Sequence, residues 1–245
     1  SLPTEDINLK HRILSKKFDV LKIELASNFP ITVVDDGKAN TGLSYNKSKN
    51  EIVVTEFNST NQNRLLKYDG TTYNFLGAIN VAGSRLQGNV SIGDNYFVAM
   101  GNTLTGYDVN GNPTVNYTLP VSESVDNAIT YYDNHVYVYV GNSIIKKISF
   151  PEMVEVGQIE GVDTVEGLAL NNNYIFTGNG GSFNIYNYKL ERIALIHANS
   201  PEGGCFDGQG NFLINRDENA HGGITSGNRL WKYKINKWNK DKWNI

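Results

Sequence analysis

A short strand-like segment that opens on asparagine recurs five times along the chain, and this repeat restricts the fold more than any other feature. The five segments begin at residues 50, 95, 134, 173 and 211, so successive steps are 45, 39, 39 and 38 residues. A repeat of this length with several strands in each unit predicts units that cannot bury their apolar faces alone. Neighbouring units therefore have to stack against each other to form a core.

Each repeat contains further segments with the alternation of strands. A segment of small and apolar residues precedes each asparagine strand, as at 42–45 and 89–92, and a third alternating segment follows, as at 64–68. Small residues in the first segment suit an innermost strand that is crowded around an axis. Turn pairs such as Gly101 and Asn102 tolerate the positive φ of tight hairpins, which indicates antiparallel neighbours.

A fourth strand is predicted at 72–76, 114–118, 153–157 and 192–196. The fifth unit has three clear strands, and residues 18–25 alternate like its missing fourth strand. We therefore predict an all-β fold, a β-propeller of about five four-stranded blades, with residues 1–245 as a single domain and the ring closed by pairing of N- and C-terminal strands. In the alternative, residues 7–14 form a further strand and 237–245 complete the last blade, which gives six blades or an incomplete ring.

The residues from Asp207 to Ile214, together with strands led by glycine or asparagine elsewhere, resemble the repeats of NHL-type and related quinoprotein-like propellers. The resemblance covers most of the chain. It implies propeller geometry but no particular activity, because that group includes enzymes, peptide binders and scaffold proteins. Repeats of the WD type fit less well, since Gly-His and Trp-Asp pairs do not recur at the proper places.

Composition argues against several classes of protein. The chain has 22 basic and 25 acidic residues and a formal net charge of -3, so we expect no nucleic-acid partner. No apolar run approaches the roughly 20 residues that span a bilayer, so we expect no transmembrane segment. A single cysteine, Cys205, allows no internal disulfide. A start at Ser1 and many Asn, Thr, Ser and Tyr residues favour a processed or excised, extracellular or cell-surface protein.

The loops that lead into the innermost strands contain the first set of candidate ligand-binding and catalytic residues, because ligands of propellers meet the mouth of the central channel. These candidates are Asp36, Arg85, Asp126, Asp163, Glu166 and Glu202. Paired carboxylates could serve glycoside hydrolysis or bind a cation. The plainer interpretation is that these loop acids are solvated.

The segment 216–228 departs from the repeat and forms an extended polar loop. Asp217, Glu218 and His221 in this loop could supply an acid-base pair or metal ligands, although a Gly-rich loop needs no such role. The four histidines lie in separate repeats without a shared ligand spacing, so we predict no metal site and no cofactor. The segments 35–37 and 108–113 resemble fragments of calcium loops but lack the remaining ligands, and we predict turns there.

All three tryptophans, Trp231, Trp238 and Trp243, fall in a final segment that also holds five lysines. A cationic aromatic tail can dock on phosphates, anionic membrane surfaces or carbohydrate. In the plainer interpretation Trp231 and Tyr233 lie on the last strand, and Trp238 and Trp243 pack the tail onto the disc.

The lack of a catalytic signature predicts a non-enzymatic interaction or structural module, a rigid scaffold that presents loops to a protein or glycan partner rather than to a small molecule, in an exported, cell-surface or virion assembly. One alternative is a propeller hydrolase or lyase, with Asp126, Glu166, Glu202 and His221 as its candidate catalytic residues. Another is a lectin-like carbohydrate binder, which requires Tyr68, Tyr107 and Tyr233 to line exposed pockets between blades.

Overall fold

The computed structural model describes residues 21–31, 39–57, 63–82, 88–125, 128–164, 166–198, 201–216 and 229–237. These residues form 20 β-strands in five four-stranded antiparallel sheets, which we call blades I to V. The described part of the chain contains no helix that is long and apolar enough to cross a membrane.

The strands are numbered in chain order, and the first belongs to the last blade. Strand β1 spans Leu21–Pro30. Blade I consists of β2 (Ala39–Asn46), β3 (Glu51–Phe57), β4 (Asn63–Asp69) and β5 (Phe75–Val81), and blade II of β6 (Asn89–Ile92), β7 (Asn95–Met100), β8 (Thr103–Tyr107) and β9 (Pro113–Thr118). Blade III consists of β10 (Ile129–Tyr132), β11 (His135–Tyr139), β12 (Ile144–Ser149) and β13 (Glu155–Glu160). Blade IV consists of β14 (Leu168–Leu170), β15 (Tyr174–Asn179), β16 (Ser182–Asn187) and β17 (Arg192–His197), and blade V of β18 (Pro201–Phe206), β19 (Phe212–Arg216), β20 (Arg229–Lys237) and β1.

The first strand of each blade lies innermost, and β2, β6, β10, β14 and β18 contact one another in a closed ring. Strand β1 pairs with β20 from Leu21 opposite Lys237 to Pro30 opposite Arg229, so N- and C-terminal strands close blade V. The prediction of a five-bladed propeller closed in this way is confirmed, and the six-bladed alternative is wrong. Residues 7–14 and 238–245 lie outside the described residues.

The hydrophobic core is divided among the five interfaces between neighbouring blades. Between blades I and II, Val53, Leu65 and Tyr96 are almost fully buried, and between blades IV and V an aromatic cluster contains Phe176 and Phe212. This division follows from strand alternation, because successive side chains point to opposite faces of a blade. Each buried large apolar side chain stabilises the fold by about 1.5–3 kcal/mol.

Asp and Asn side chains form the turns by accepting hydrogen bonds from the backbone that follows them. Oδ1 of Asp108 accepts from the backbone N–H groups of Asn110 and Asn112, which supports the turn predicted there. Oδ1 of Asp69 accepts from the N–H groups of Thr71 and Thr72 in the same way. The segment 35–37 lies outside the described residues.

Three of the predicted strands have other bounds in the structure. The fourth strand of blade I begins at Phe75 rather than at 72, because the Asp69 turn continues through Tyr73, whose φ is 61°. The fourth strand of blade III begins at Glu155 rather than at 153, because Met153 has a left-handed φ of 57°. The N-terminal strand was predicted at 18–25 but runs to Pro30, since it pairs along all of β20.

Candidate functional site

We call the end of the propeller at which the innermost strands begin the upper end. Because neighbouring strands are antiparallel, the second strand of each blade finishes there. In blade I, Asn40 on β2 lies opposite Glu56 on β3, and in blade V, Gly203 on β18 lies opposite Asn215 on β19. Polar residues at these positions therefore meet around the axis, between blades V and I.

The innermost strands of blades I and V are irregular at this end. The pairing of β2 with β3 shifts between Asn40 and Leu43, and that of β18 with β19 shifts between Pro201 and Gly203. The innermost pairs of blades II, III and IV show no such shift over their described residues. Bulges are over-represented next to active sites, because they re-aim side chains and leave backbone groups outside the ladder. The upper end between blades V and I therefore has the local geometry of a site.

A buried ion pair lies beside the bulge in blade I. Nε of Arg64 donates to Oε1 of Glu56 over 2.7 Å, and Nη2 of Arg64 donates to Oε2 over 2.6 Å. The side chain of Glu56 is 0% exposed and that of Arg64 is 18% exposed. Glu56 and Asp207 are the buried acidic residues of the described chain, and Asp207 is engaged by its own turn. Glu56 is thus the buried carboxylate of the upper end.

Further buried polar residues lie at the same end. Asn40, Thr41 and Asn215 are at most 5% exposed. Nδ2 of Asn215 donates to the backbone oxygen of Thr41 over 2.6 Å and so joins blade V to blade I. Oδ1 of Asn215 has no hydrogen-bond partner among the described residues. A buried acceptor of this kind requires a donor, which a bound molecule or water can supply.

Two of the residues predicted from the sequence, Glu166 and Glu202, lie at this end on adjoining blades. Each directly precedes a glycine near the start of an innermost strand, and both side chains are partly exposed. A Cβ added to Gly167 would lie 2.9 Å from Cα of Gly203, so the two strand starts are in backbone contact. The structure therefore brings Glu166 and Glu202 to neighbouring positions at the upper end.

Asp163, a third predicted residue, lies in the loop between β13 and β14 at the same end. Its Oδ1 accepts hydrogen bonds from Oγ of Ser143 and from Oη of Tyr139, both over 2.8 Å. These two donors lower the pKa of the Asp163 carboxyl group, with the bond from Ser143 as the larger cause. Asp163 is an exposed carboxylate fixed at the edge of the upper end.

The other predicted site residues, Asp36, Arg85, Asp126, Asp217, His221, Trp238 and Trp243, lie outside the described residues. Trp231 and Tyr233 are half-buried on β20, where the plainer interpretation of the tail placed them. Within the described chain, no group of three or more His, Cys, Asp or Glu residues is arranged to hold a metal ion.

Sequence reasoning missed Glu56 and Arg64. The signal that was present is the alternation of β3, which puts Glu56 on the same buried face as Ile52 and Val54. A charged residue on the same face as buried aliphatic residues needs a partner of opposite charge, because burial of an unpaired charge is unfavourable. Arg64 lies opposite Glu56 on the next strand.

Fold and site together define a five-bladed β-propeller with a buried polar site at its upper end. No family model matches the chain, and no curated protein matches it in sequence. Among solved structures, the crystal structure of Myxococcus xanthus glutaminyl cyclase is similar, with a TM-score of 0.62 and 11% sequence identity. The similarity covers 89% of this chain and 97% of that chain. At this identity the similarity shows a shared fold.

Two functional predictions from the sequence are corrected. The prediction of a non-enzymatic interaction or structural module is contradicted, because the similar solved structure is that of an enzyme, glutaminyl cyclase, at 11% identity. The lectin-like alternative loses its main support, because Tyr68 and Tyr107 are only 2% and 4% exposed and pack between blades, while Tyr233 is half-buried. The resemblance to NHL-type repeats extends to propeller geometry alone.

Proposed function

We propose that the protein is an enzyme that cyclises the N-terminal glutaminyl residue of a peptide, with Glu56 as its acid-base group. The observation that carries the proposal is the complete burial of this carboxylate at the upper end, beside the strand bulge of blade I. The shared fold with a glutaminyl cyclase supports the choice of reaction.

The reaction requires little beyond orientation and one proton carrier. The α-amino nitrogen of the substrate attacks the carbonyl carbon of its own side-chain amide, a new C–N bond closes the ring, and the amide nitrogen leaves as ammonia. A proton has to move from the attacking nitrogen to the leaving nitrogen. One carboxylate that accepts this proton and then returns it serves both steps. Holding the amine against the carbonyl supplies much of the remaining rate enhancement.

The surroundings of Glu56 suit such a substrate. The partnerless Oδ1 of Asn215 is a buried acceptor that matches the N–H groups of an amide or an ammonium group. Glu166 and Glu202 add negative charge at the same end, which attracts the α-ammonium group of an approaching peptide. This group releases one proton to solvent before its nitrogen attacks. The burial of Glu56 also keeps bulk water away from its carboxylate. Glu166 and Glu202 were also candidate catalytic residues in the hydrolase or lyase alternative. In the present proposal they attract the substrate, and Glu56 is the acid-base group.

The test is product analysis by mass spectrometry. Purified protein is incubated with a synthetic peptide that begins with Gln, and with the same peptide acetylated at its N-terminus. We expect loss of ammonia from the first peptide alone, since the acetylated amine cannot attack. Glu56→Gln should lower the rate by about 10²–10⁴-fold. Glu155→Gln, on the outermost strand of blade III, is the control and should retain the wild-type rate. A wild-type protein without conversion, or a fully active Glu56→Gln variant, refutes the proposal.

A further inference from the structure

We infer that Arg64 is a positioning residue that acts through Glu56, an inference that rests on the proposed function. Arg64 holds the plane of the carboxylate at a fixed angle while the proton moves between the two substrate nitrogens. Its contribution therefore falls on the chemical step rather than on peptide binding.

The register of blade I supports this role. Glu56 on β3 lies between Asn40 on β2 and Arg64 on β4, and each is its direct cross-strand partner. Because β2 is the innermost strand, Arg64 reaches the carboxylate from the side away from the axis. On the side towards the axis, Glu56 lies next to Asn40 and the bulge of β2.

The contact has the geometry that fixes a carboxylate. Two parallel N–H···O bonds of 2.7 and 2.6 Å join one guanidinium edge to both carboxylate oxygens. A bidentate pair of this kind defines the orientation of the acceptor as well as its distance. Lysine in the same place would keep the positive charge but provide only a single point contact. Charge and orientation can therefore be separated by one conservative substitution.

The experiment measures kcat and KM for glutaminyl peptide cyclisation by wild type, Arg64→Lys, Glu56→Gln and the double variant. Arg192→Lys, on the exposed outer strand of blade IV, is the matched control. We expect Arg64→Lys to lower kcat by about 10–100-fold, as misplacement of a reacting group does, with KM changed less than about threefold. In the Glu56→Gln background the same substitution should add no further loss, because residues that act as one unit are not additive.

A wild-type kcat in Arg64→Lys, a change in KM alone, or additive losses in the double variant overturns the inference while leaving the proposed function intact. A wild-type protein without cyclase activity overturns both. Thermal unfolding of every variant separates positioning from folding. Should Arg64→Lys unfold, Arg64→Gln together with added guanidinium ion replaces it, and rescue of kcat by the ion is the expected result.

Discussion

The hydroxyl group of Tyr73 in blade I donates a 2.8 Å hydrogen bond to Oδ2 of Asp207 in blade V, across 134 positions of sequence. The same oxygen accepts a bond from Nδ2 of Asn211, so one buried carboxylate joins a turn of blade V to blade I. At the upper end, Asn215 makes a second bond across this interface, to Thr41. Hydrogen bonds thus fix the interface between the last and first blades at both ends.

Loss of the Tyr73 hydroxyl group should weaken this closure. We expect Tyr73→Phe to lower the free energy of unfolding by about 1–2 kcal/mol, because it removes a buried hydrogen bond to a charged group. Tyr131→Phe is the control, since its 3.1 Å bond to Asn134 is exposed and lies within one hairpin. That variant should lose less than about 0.5 kcal/mol in chemical denaturation. Equal losses in the two variants would contradict the role of Tyr73 in closure.

Stability should also fall at alkaline pH. Burial, followed by the hydrogen bond to Asp207, raises the pKa of Tyr73 well above its usual value. An unfolded tyrosine titrates near pH 10, so above about this pH the unfolded chain loses a proton that the folded chain keeps. The stabilisation is complete below pH 10 and declines as the pH rises towards the folded pKa. The free energy of unfolding, measured from about pH 8 to 11, should decline less steeply in Tyr73→Phe than in wild type. Parallel curves for the two proteins would refute this.

Gly178 tests the tight backbone approach that positions Glu166. A Cβ at Gly178 would overlap the backbone oxygen of Glu166, and neither backbone can move without breaking blade IV. We expect Gly178→Ala to lose at least about 3 kcal/mol of stability or to fail to fold. Gly157→Ala meets nothing within 4 Å and should be neutral or slightly stabilising. Similar melting temperatures for both variants would show that the approach is looser than described.

The Arg64–Glu56 pair should be far more important for stability than an exposed pair. Glu56→Ala leaves a largely buried guanidinium group without its partner, and we expect a loss of about 3–5 kcal/mol. Glu155→Ala removes an exposed pair with Lys146 and should cost less than about 1 kcal/mol. Urea denaturation at low and high salt distinguishes the two, because salt screens an exposed pair much more than a buried one. A Glu56→Ala variant as stable as Glu155→Ala would contradict the described burial.

Most of the fold could be predicted from the sequence, because alternation and turn residues are local signals. The segments 89–92 and 103–107 coincide with β6 and β8. The prediction failed at β5 and β13, where a side chain or a left-handed residue lengthens the turn and delays the strand. That delay depends on hydrogen bonds that a hydrophobicity pattern does not contain.

The site was only partly predictable. Proximity to the innermost strands placed Glu166 and Glu202 at the upper end, since chain order alone brings those loops together. Glu56 becomes a candidate because Arg64 lies opposite it on the next strand. That pairing is visible only once the strand register is known. Function was predicted wrongly because the repeat determines a scaffold that enzymes and binders share.

The most direct test of the central claim is a crystal structure with a peptide whose N-terminal glutaminyl residue lacks the α-amino group and so cannot cyclise. We predict density for its side-chain amide at the upper end between blades V and I, within hydrogen-bond distance of Glu56 and Asn215. A peptide bound at the opposite end or on the outer strands, or an upper end without peptide at saturating concentration, would contradict the claim.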